Sequence, residues 1–226
     1  AKPRVTRYLD QDSWQEVKAA IEAMPRETER DEEHYWRVRW LFSLLYLCGI
    51  RISEVVQNSM GDFFCRHDPD GEDRWWLEIT GKGGKTRLVP ATGELMIELA
   101  RYRRAVGLAP YPAPGETTPL VLPIGGKARA LTRSAVHLVV KTVFGNAAAL
   151  VRAKGPEGEH RAARIEAASA HWLRHTAGTH MVAHGIETRN VRDNFGHESL
   201  ETTNVYVHTE EIERHKETEE KHRLGW

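Results

Sequence analysis

The chain has 226 residues, 40% of them hydrophobic, with 32 basic side chains against 32 acidic ones. That length holds one large domain or a compact domain with appendages, and the composition excludes a fibrous, disordered or disulfide-framework class. A neutral total argues weakly against nucleic acid, yet the acids gather in RETERDEEH near residue 30 and TEEIERHKETEEKH near the C-terminus, which leaves the rest of the chain basic.

The N-terminus AKPRVTRYLDQDSW has no secretory apolar stretch, and no continuous apolar run reaches the roughly 20 residues that cross a bilayer. With only Cys48 and Cys65, the chain reads as an intracellular protein of a reducing compartment. DSWQEVKAAIEAM predicts an amphipathic helix, with Ser13 and Glu16 spaced as a capping box and Trp14, Val17, Ile21 and Met24 on one face. A charged loop follows, then a long apolar helix, YWRVRWLFSLLYLCG, stopped by Gly49, and a short one at ISEVVQN.

The segment DFFCRHDPDGEDRWWLEITGKGGKTRLVPA alternates β-prone runs with two turn signals, which predicts three antiparallel strands. GELMIELARYRRAVG returns to helical period. LAPYPAPGETTPLVLPIGGKARA reads as a long surface connection with a short strand at PLVL. TRSAVHLVVKTVFG is helical, and VRAKGPEGEHRAARIEAAS reads as a mobile polar insertion. HWLRHTAGTHMVAHG predicts a helix stopped by Gly185, followed by two short helical patterns around FGHESLETTNVYVH. TEEIERHKETEEKHRLGW predicts a solvated, charge-laced helix. The fold class expected is mainly α with one small antiparallel β-sheet.

Four segments carry candidate chemistry. HWLRH puts His171 and Arg174 three residues apart on one helix face, a pair of donors suited to a phosphate or carboxylate or an incidental polar helix end. The spacing of His171 and His175 fits two zinc ligands, but the H-E-x-x-H glutamate is missing and an arginine intervenes. CGIRISEVV offers Arg51 and Glu54 as either a plain surface pair or an arginine held by a carboxylate. TGKGGKTRLVP places Lys82 and Lys85 in a hairpin turn, not in a phosphate-cradling loop before a helix. Tyr206 follows His197 by nine residues, and alone it reads as a packed aromatic.

Together and in this order, the four resemble the tyrosine recombinase (phage integrase) family, including its Xer-like members, over about residues 8 to 210. The matching segments are GIRISEV, ITGKGGKTRLVP, HWLRHTAGTHMVAHG and NFGHESLETTNVYVH. The resemblance implies Arg51, Lys82, His171, Arg174 and His197 as the catalytic set, Tyr206 as nucleophile and Glu54 in support of Arg51. Lys85, Arg87 and His175 are expected to contact DNA. It implies no metal and no cofactor, a double-stranded DNA partner, a homo-oligomer such as a tetrameric synapse on that DNA, and a cytoplasmic, nucleoid-associated protein. A catalytically silent DNA-binding relative of the same fold is the alternative. In domain terms, residues 1–210 form the catalytic domain and 211–226 a charged helical tail that docks on a neighbouring protomer. The family's usual N-terminal DNA-clamping domain is expected to lie outside this chain.

Overall fold

The computed structural model describes residues 7–125, 129–196 and 204–226, and for 204–210 the backbone alone. The first helix, α1 (Gln11–Glu22), starts one turn earlier than its expected cap. Asp10, in extended conformation, accepts the Ser13 N–H at 2.7 Å, and Ser13 itself is buried. Aspartate caps as well as serine, so the expected Ser13 box gives way to the nearer carboxylate. Helix α2 (Glu29–Cys48) begins inside the predicted charged loop. Thr28 and Asp31 exchange backbone N–H bonds as a capping box, and three acids occupy the positive end of the helix dipole. From Arg37 to Cys48 every residue of α2 is buried, which makes it the central rod of the core. Gly49 ends it at φ +62°, a left-handed conformation that a side chain resists.

A short helix α3 (Ile52–Gln57) leads into the sheet. Strands β1 (Phe63–His67), β2 (Asp73–Thr80) and β3 (Thr86–Ala91) lie in sequence order, all antiparallel, with Leu77 paired to Phe63 on one side and Val89 on the other. The three expected strands are therefore present. Helix α4 (Gly93–Ala105) packs on α2, where its buried Glu98 forks onto Arg39 at 2.9 and 3.1 Å. At PLVL no strand forms beyond an isolated antiparallel bridge between Pro119 and Ser59. The segment is held as irregular backbone by Trp40 Nε1 donating to the Leu120 carbonyl and the Leu122 N–H donating to Tyr102 Oη.

Helix α5 (Arg133–Ala153) runs 21 residues, past Gly145, and is long and apolar enough by composition to cross a membrane. Its stripe of Val136, Val140, Val143, Phe144, Ala147 and Val151 is buried, and the helix packs against α1. The predicted mobile insertion is instead the end of α5 and a further helix, α6 (Glu159–Ala167), folded back on it. Ala162 and Ile165, one turn apart, are fully buried, and Arg152 of α5 reaches both Glu159 and Glu166. The segment's charges sit on one face, and its sparse apolar residues suffice on the other.

Helices α7 (Ala170–Ala183), α8 (Thr188–Phe195) and α9 (Asn204–Lys221) complete the domain. Helix α9 runs across residue 211, and the predicted solvated tail packs on its own chain. His222 Nε2 meets the Tyr46 carbonyl at 2.8 Å, and Lys18 Nζ donates to the Leu224 carbonyl at 2.7 Å. Trp226 Nε1 donates to Ser43 Oγ, with Arg39 over its ring at 4.6 Å. Burial lowers the His222 pKa to about 4, so this histidine is neutral inside the core.

Replacing Ile165 by alanine is expected to lower unfolding stability by about 2–4 kcal/mol, measured by urea denaturation. A mobile insertion would leave the midpoint unmoved.

Candidate active site

The site is built around a buried carboxylate. Beyond Gly49 the chain turns so that Arg51 precedes α3 and Glu54 occupies its first turn. Glu54 is 2% exposed, and its Oε2 accepts the Arg51 N–H at 2.9 Å while Oε1 lies 3.3 Å from Arg51 Nη1. Arg87, from β3, closes a two-pronged bridge onto the same carboxylate, Nη1 to Oε1 at 2.8 Å and Nη2 to Oε2 at 2.9 Å. Its Nε donates to the Asn194 carbonyl at 2.9 Å. Burial raises the Glu54 pKa, but the bonds from Arg87 and the Arg51 N–H, with the charges of both arginines, outweigh it and hold the carboxyl below its ordinary value.

Arg87, expected to contact DNA, is bonded to Glu54 in this structure. Its fork faces the interior, with 13% of the side chain exposed, because a buried carboxylate needs a cation and Arg51 leaves one side of it open. Asn58 fastens the sheet to the same helix, donating to the carbonyls of Glu54 and Thr80 and accepting the Thr80 N–H. The hairpin between β2 and β3 therefore starts beside Arg51's support. Lys82 and Lys85 lie exposed at its tip, where Gly83 and Gly84 take φ +73° and +74°.

Arg174 comes from α7 and is 7% exposed. One Nη donates to the Gly49 carbonyl and the other to the Phe195 carbonyl at 2.7 Å, with the guanidinium 4.6 Å above the Phe195 ring. Phe195 sits in a slot walled by two glycines. A Cβ on Gly49 would overlap its ring, and one on Gly178 would come within 2.8 Å of it. Burial, with Arg51 and Arg87 nearby, lowers the Arg174 pKa to about 10, so it remains cationic at neutral pH.

His171, exposed on the first turn of α7, lines a cleft of about 550 Å³ together with Arg51 and Arg174. Arg133, Ser134 and His137, from the first turns of α5, line the same cleft. Sequence reading missed these three; the only signal was the Thr132 cap that starts their helix. His175 is exposed one turn beyond His171, and the two Nε2 atoms lie 2.9 Å apart. The other histidines of this helix diverge. His180 is buried between Tyr46 Oη at 2.9 Å and the Leu9 carbonyl at 3.1 Å, and His184 is exposed.

The structure thus gathers Arg51, Glu54, His171 and Arg174. Lys82 and Lys85 are not among the residues lining the cleft. His197 lies outside the described residues. Tyr206 belongs to the first turn of α9, and its side chain lies outside them too. Helix α8 ends at Gly196, directly before His197, with the carbonyls of Asn194 and Phe195 held by Arg87 and Arg174. Among the described residues no three histidine, cysteine or carboxylate side chains converge as a metal site. Chemically, the cleft presents guanidinium and imidazole donors to one small volume, an arrangement that stabilises charge on an oxyanion. A larger cleft of about 720 Å³, beside Asp10, Glu16, Lys154 and Arg164, contains none of these residues.

Arg87→Met strands Glu54 with one partner, and a loss of about 3–5 kcal/mol is expected in denaturant titration. The stability advantage of wild type over Glu54→Gln is expected to depend on pH. A carboxyl depressed in the folded state stabilises fully above its unfolded pKa of about 4.3. That contribution disappears as pH falls through the folded value. The gap should therefore be constant near neutrality and shrink below about pH 4; a gap that widens on acidification would contradict the assignment.

The profile described as the phage integrase family matches residues 8–213. The chain is 32% identical over 190 residues to the tyrosine recombinase XerC of Agrobacterium fabrum, covering 83% of this chain and 51% of that protein. It is 27% identical over 172 residues to the tyrosine recombinase XerD of Rickettsia conorii, covering 76% and 52%. Among solved structures it is similar to the XerH site-specific recombinase bound to its difH substrate, with a TM-score of 0.56, 23% identity and coverage of 92% and 52%. The integrase of mycobacterium phage Brujita is similar too, with a TM-score of 0.56, 21% identity and coverage of 100% and 62%. The chain spans about half the length of the curated relatives it matches. On this match, which covers nearly all its residues and agrees with the mainly helical fold and its three-stranded sheet, the chain belongs to the phage integrase family of tyrosine recombinases.

Proposed function

We propose that this chain is the catalytic portion of a site-specific DNA recombinase that cuts and rejoins strands through a 3′-phosphotyrosyl intermediate on Tyr206. The observation that carries the reading is the shared cleft of Arg51, His171 and Arg174, with Arg51 braced by Glu54. A phosphodiester gathers negative charge on its non-bridging oxygens as it is attacked, and preorganised cations are what that transition state needs. Arg51 and Arg174 clamp those oxygens. The Tyr206 Oη–phosphorus bond forms as the phosphorus–O5′ bond breaks, and Lys82 protonates the departing 5′-oxygen. His171 and His197 donate to the phosphate or move the tyrosyl proton. Attack by a 5′-hydroxyl on the phosphotyrosine reverses the step and conserves the bond energy.

Nothing in this scheme requires a metal or an organic cofactor. The partner is double-stranded DNA, with Lys85 and His175 on its backbone, and the working assembly is a homo-oligomer, a tetrameric synapse, on that DNA. A cytoplasmic, nucleoid-associated location follows from that substrate. Arg87 acts in this reading as a positioning residue that joins the Arg51 brace to the segment before His197.

Incubated with a nicked duplex bearing a site selected by binding, the protein is expected to form a covalent adduct that persists in EDTA. Tyr206→Phe should abolish it. Lys82→Ala should slow it about 10²–10⁴-fold, and a bridging 5′-phosphorothiolate should restore the rate, because a thiolate leaves without a proton. No adduct from wild-type protein on DNA that it binds would instead make it a silent DNA-binding relative.

A further inference from the structure

Arg214, on α9, takes no part in the recombination scheme, yet it is 7% exposed and its hydrogen bonds go to neutral oxygens. Its Nη1 donates to the Leu88 carbonyl at 2.7 Å and to Asn194 Oδ1 at 2.6 Å. Burial lowers its pKa, an effect that the charges of Asp193 and Glu211 oppose. Burying a guanidinium against neutral acceptors sacrifices stability relative to an apolar side chain of similar volume. What the arginine supplies is direction, since its donors tie one helix to two points fixed by other elements. Asn194, at the end of α8 and 1% exposed, is committed to the same junction. Its Oδ1 accepts from Arg214, its Nδ2 donates to Thr218 Oγ1 on α9 at 3.4 Å, and its carbonyl accepts Arg87 Nε. Arg87 in turn forks onto Glu54, the brace of Arg51. An unbroken run of bonds therefore links an arginine of the cleft to α9.

We propose that Asn194 and Arg214 are positioning residues that set where the helix bearing Tyr206 sits relative to Arg51 and Arg174. The consequence for catalysis, unlike the seating of the helix, rests on the function proposed above. Arg214 follows Tyr206 by eight residues of continuous helix, about 12 Å along its axis. So short a stretch of helix is stiff, and a slide or rotation at residue 214 is carried to residue 206. Both side chains are buried, so they act through the helix and not on DNA. Leu88 follows Arg87 directly in β3, so the strand that pairs with Glu54 also holds α9. A second tie, Arg66 Nη1 to Glu211 Oε2 at 2.8 Å, comes from β1 and is partly exposed, where water weakens it. Moving a reacting group by about 1 Å costs about 10²-fold in rate, so the seating of α9 governs the step that Tyr206 performs.

Three substitutions separate direction from mere packing. Arg214→Met keeps the length of the side chain and removes its donors, Asn194→Leu removes both side-chain bonds, and Asn194→Asp keeps an acceptor for Arg214. On the nicked duplex, single-turnover adduct formation is expected to slow about 10–10²-fold in Arg214→Met and in Asn194→Leu. DNA affinity should stay within about twofold of wild type, because neither side chain reaches the DNA. The double variant should be no slower than the slower single one, since both changes remove one contact. Asn194→Asp should keep the wild-type rate. Ile165→Ala, which costs stability far from this junction, should keep it too. Amide hydrogen exchange over residues 204–210 should quicken in the two impaired variants and not in Asn194→Asp, a readout that needs no activity. If Arg214→Met does not fold, the comparison of Asn194→Leu with Asn194→Asp decides the same question. Wild-type rates in both impaired variants, losses that multiply in the double variant, or affinity falling in step with rate would overturn the proposal. A wild-type protein that never forms the adduct on DNA it binds would sink the recombinase reading, and the exchange data would still decide how α9 is seated.

Discussion

Glu54 is the point on which the site is built. A carboxylate at 2% exposure is tolerated only when cations and hydrogen bonds replace the water it has lost, and here they arrive from three directions. Arg51 supplies its backbone N–H and one guanidinium nitrogen, and Arg87 supplies a fork from the sheet. Through the remaining nitrogen of Arg87 the same cluster holds the Asn194 carbonyl. Helix α3 and strand β3 meet at this charge, and through Arg87 the end of α8 is tied to them.

The second constraint is the carbonyl cage before His197. Arg174 and Arg87 each bond a backbone oxygen at the end of α8, and Arg214 of α9 bonds the Asn194 side chain and the Leu88 carbonyl. Phe195 fills the slot beside Gly49, so the end of α2 and the end of α8 are packed against each other. Three arginines near one carboxylate leave a local excess of positive charge inside a chain whose total is zero. Burial sharpens that excess, as the lowered Arg174 pKa shows. An anion entering the cleft relieves the repulsion, which is the electrostatic basis of the function proposed above.

Polar segments read as solvated proved to be structural where a few apolar residues had the right spacing. Ala162 and Ile165 suffice to lay α6 on α5 despite the surrounding charges. In the tail, Leu224 is buried, Glu217 and Glu219 accept the backbone N–H groups of Glu187 and Gly93, and Lys18 reaches the Leu224 carbonyl from a part of the chain 206 residues away. Average polarity hides such anchors, because burial of one side chain in four is enough to hold a helix whose other faces remain wet.

The sequence by itself determined the helical class, the three strands with their glycine turns, and the order of the motif segments. These rest on local physics: hydrophobic period, capping, and the φ that only glycine takes easily. It also offered Arg51 and Glu54 as a pair, since residues three apart at a helix start can face one another, and the structure brings them together. Only the tertiary structure decided that Arg87 pairs with Glu54, because the two are 33 residues apart and meet only when the sheet folds toward α3. It alone turned Arg174 inward and His171 outward, and brought the start of α5 to the same cleft. Which face of a helix is buried, and which charge needs a partner, depends on what packs against it, and that is not written in any local pattern.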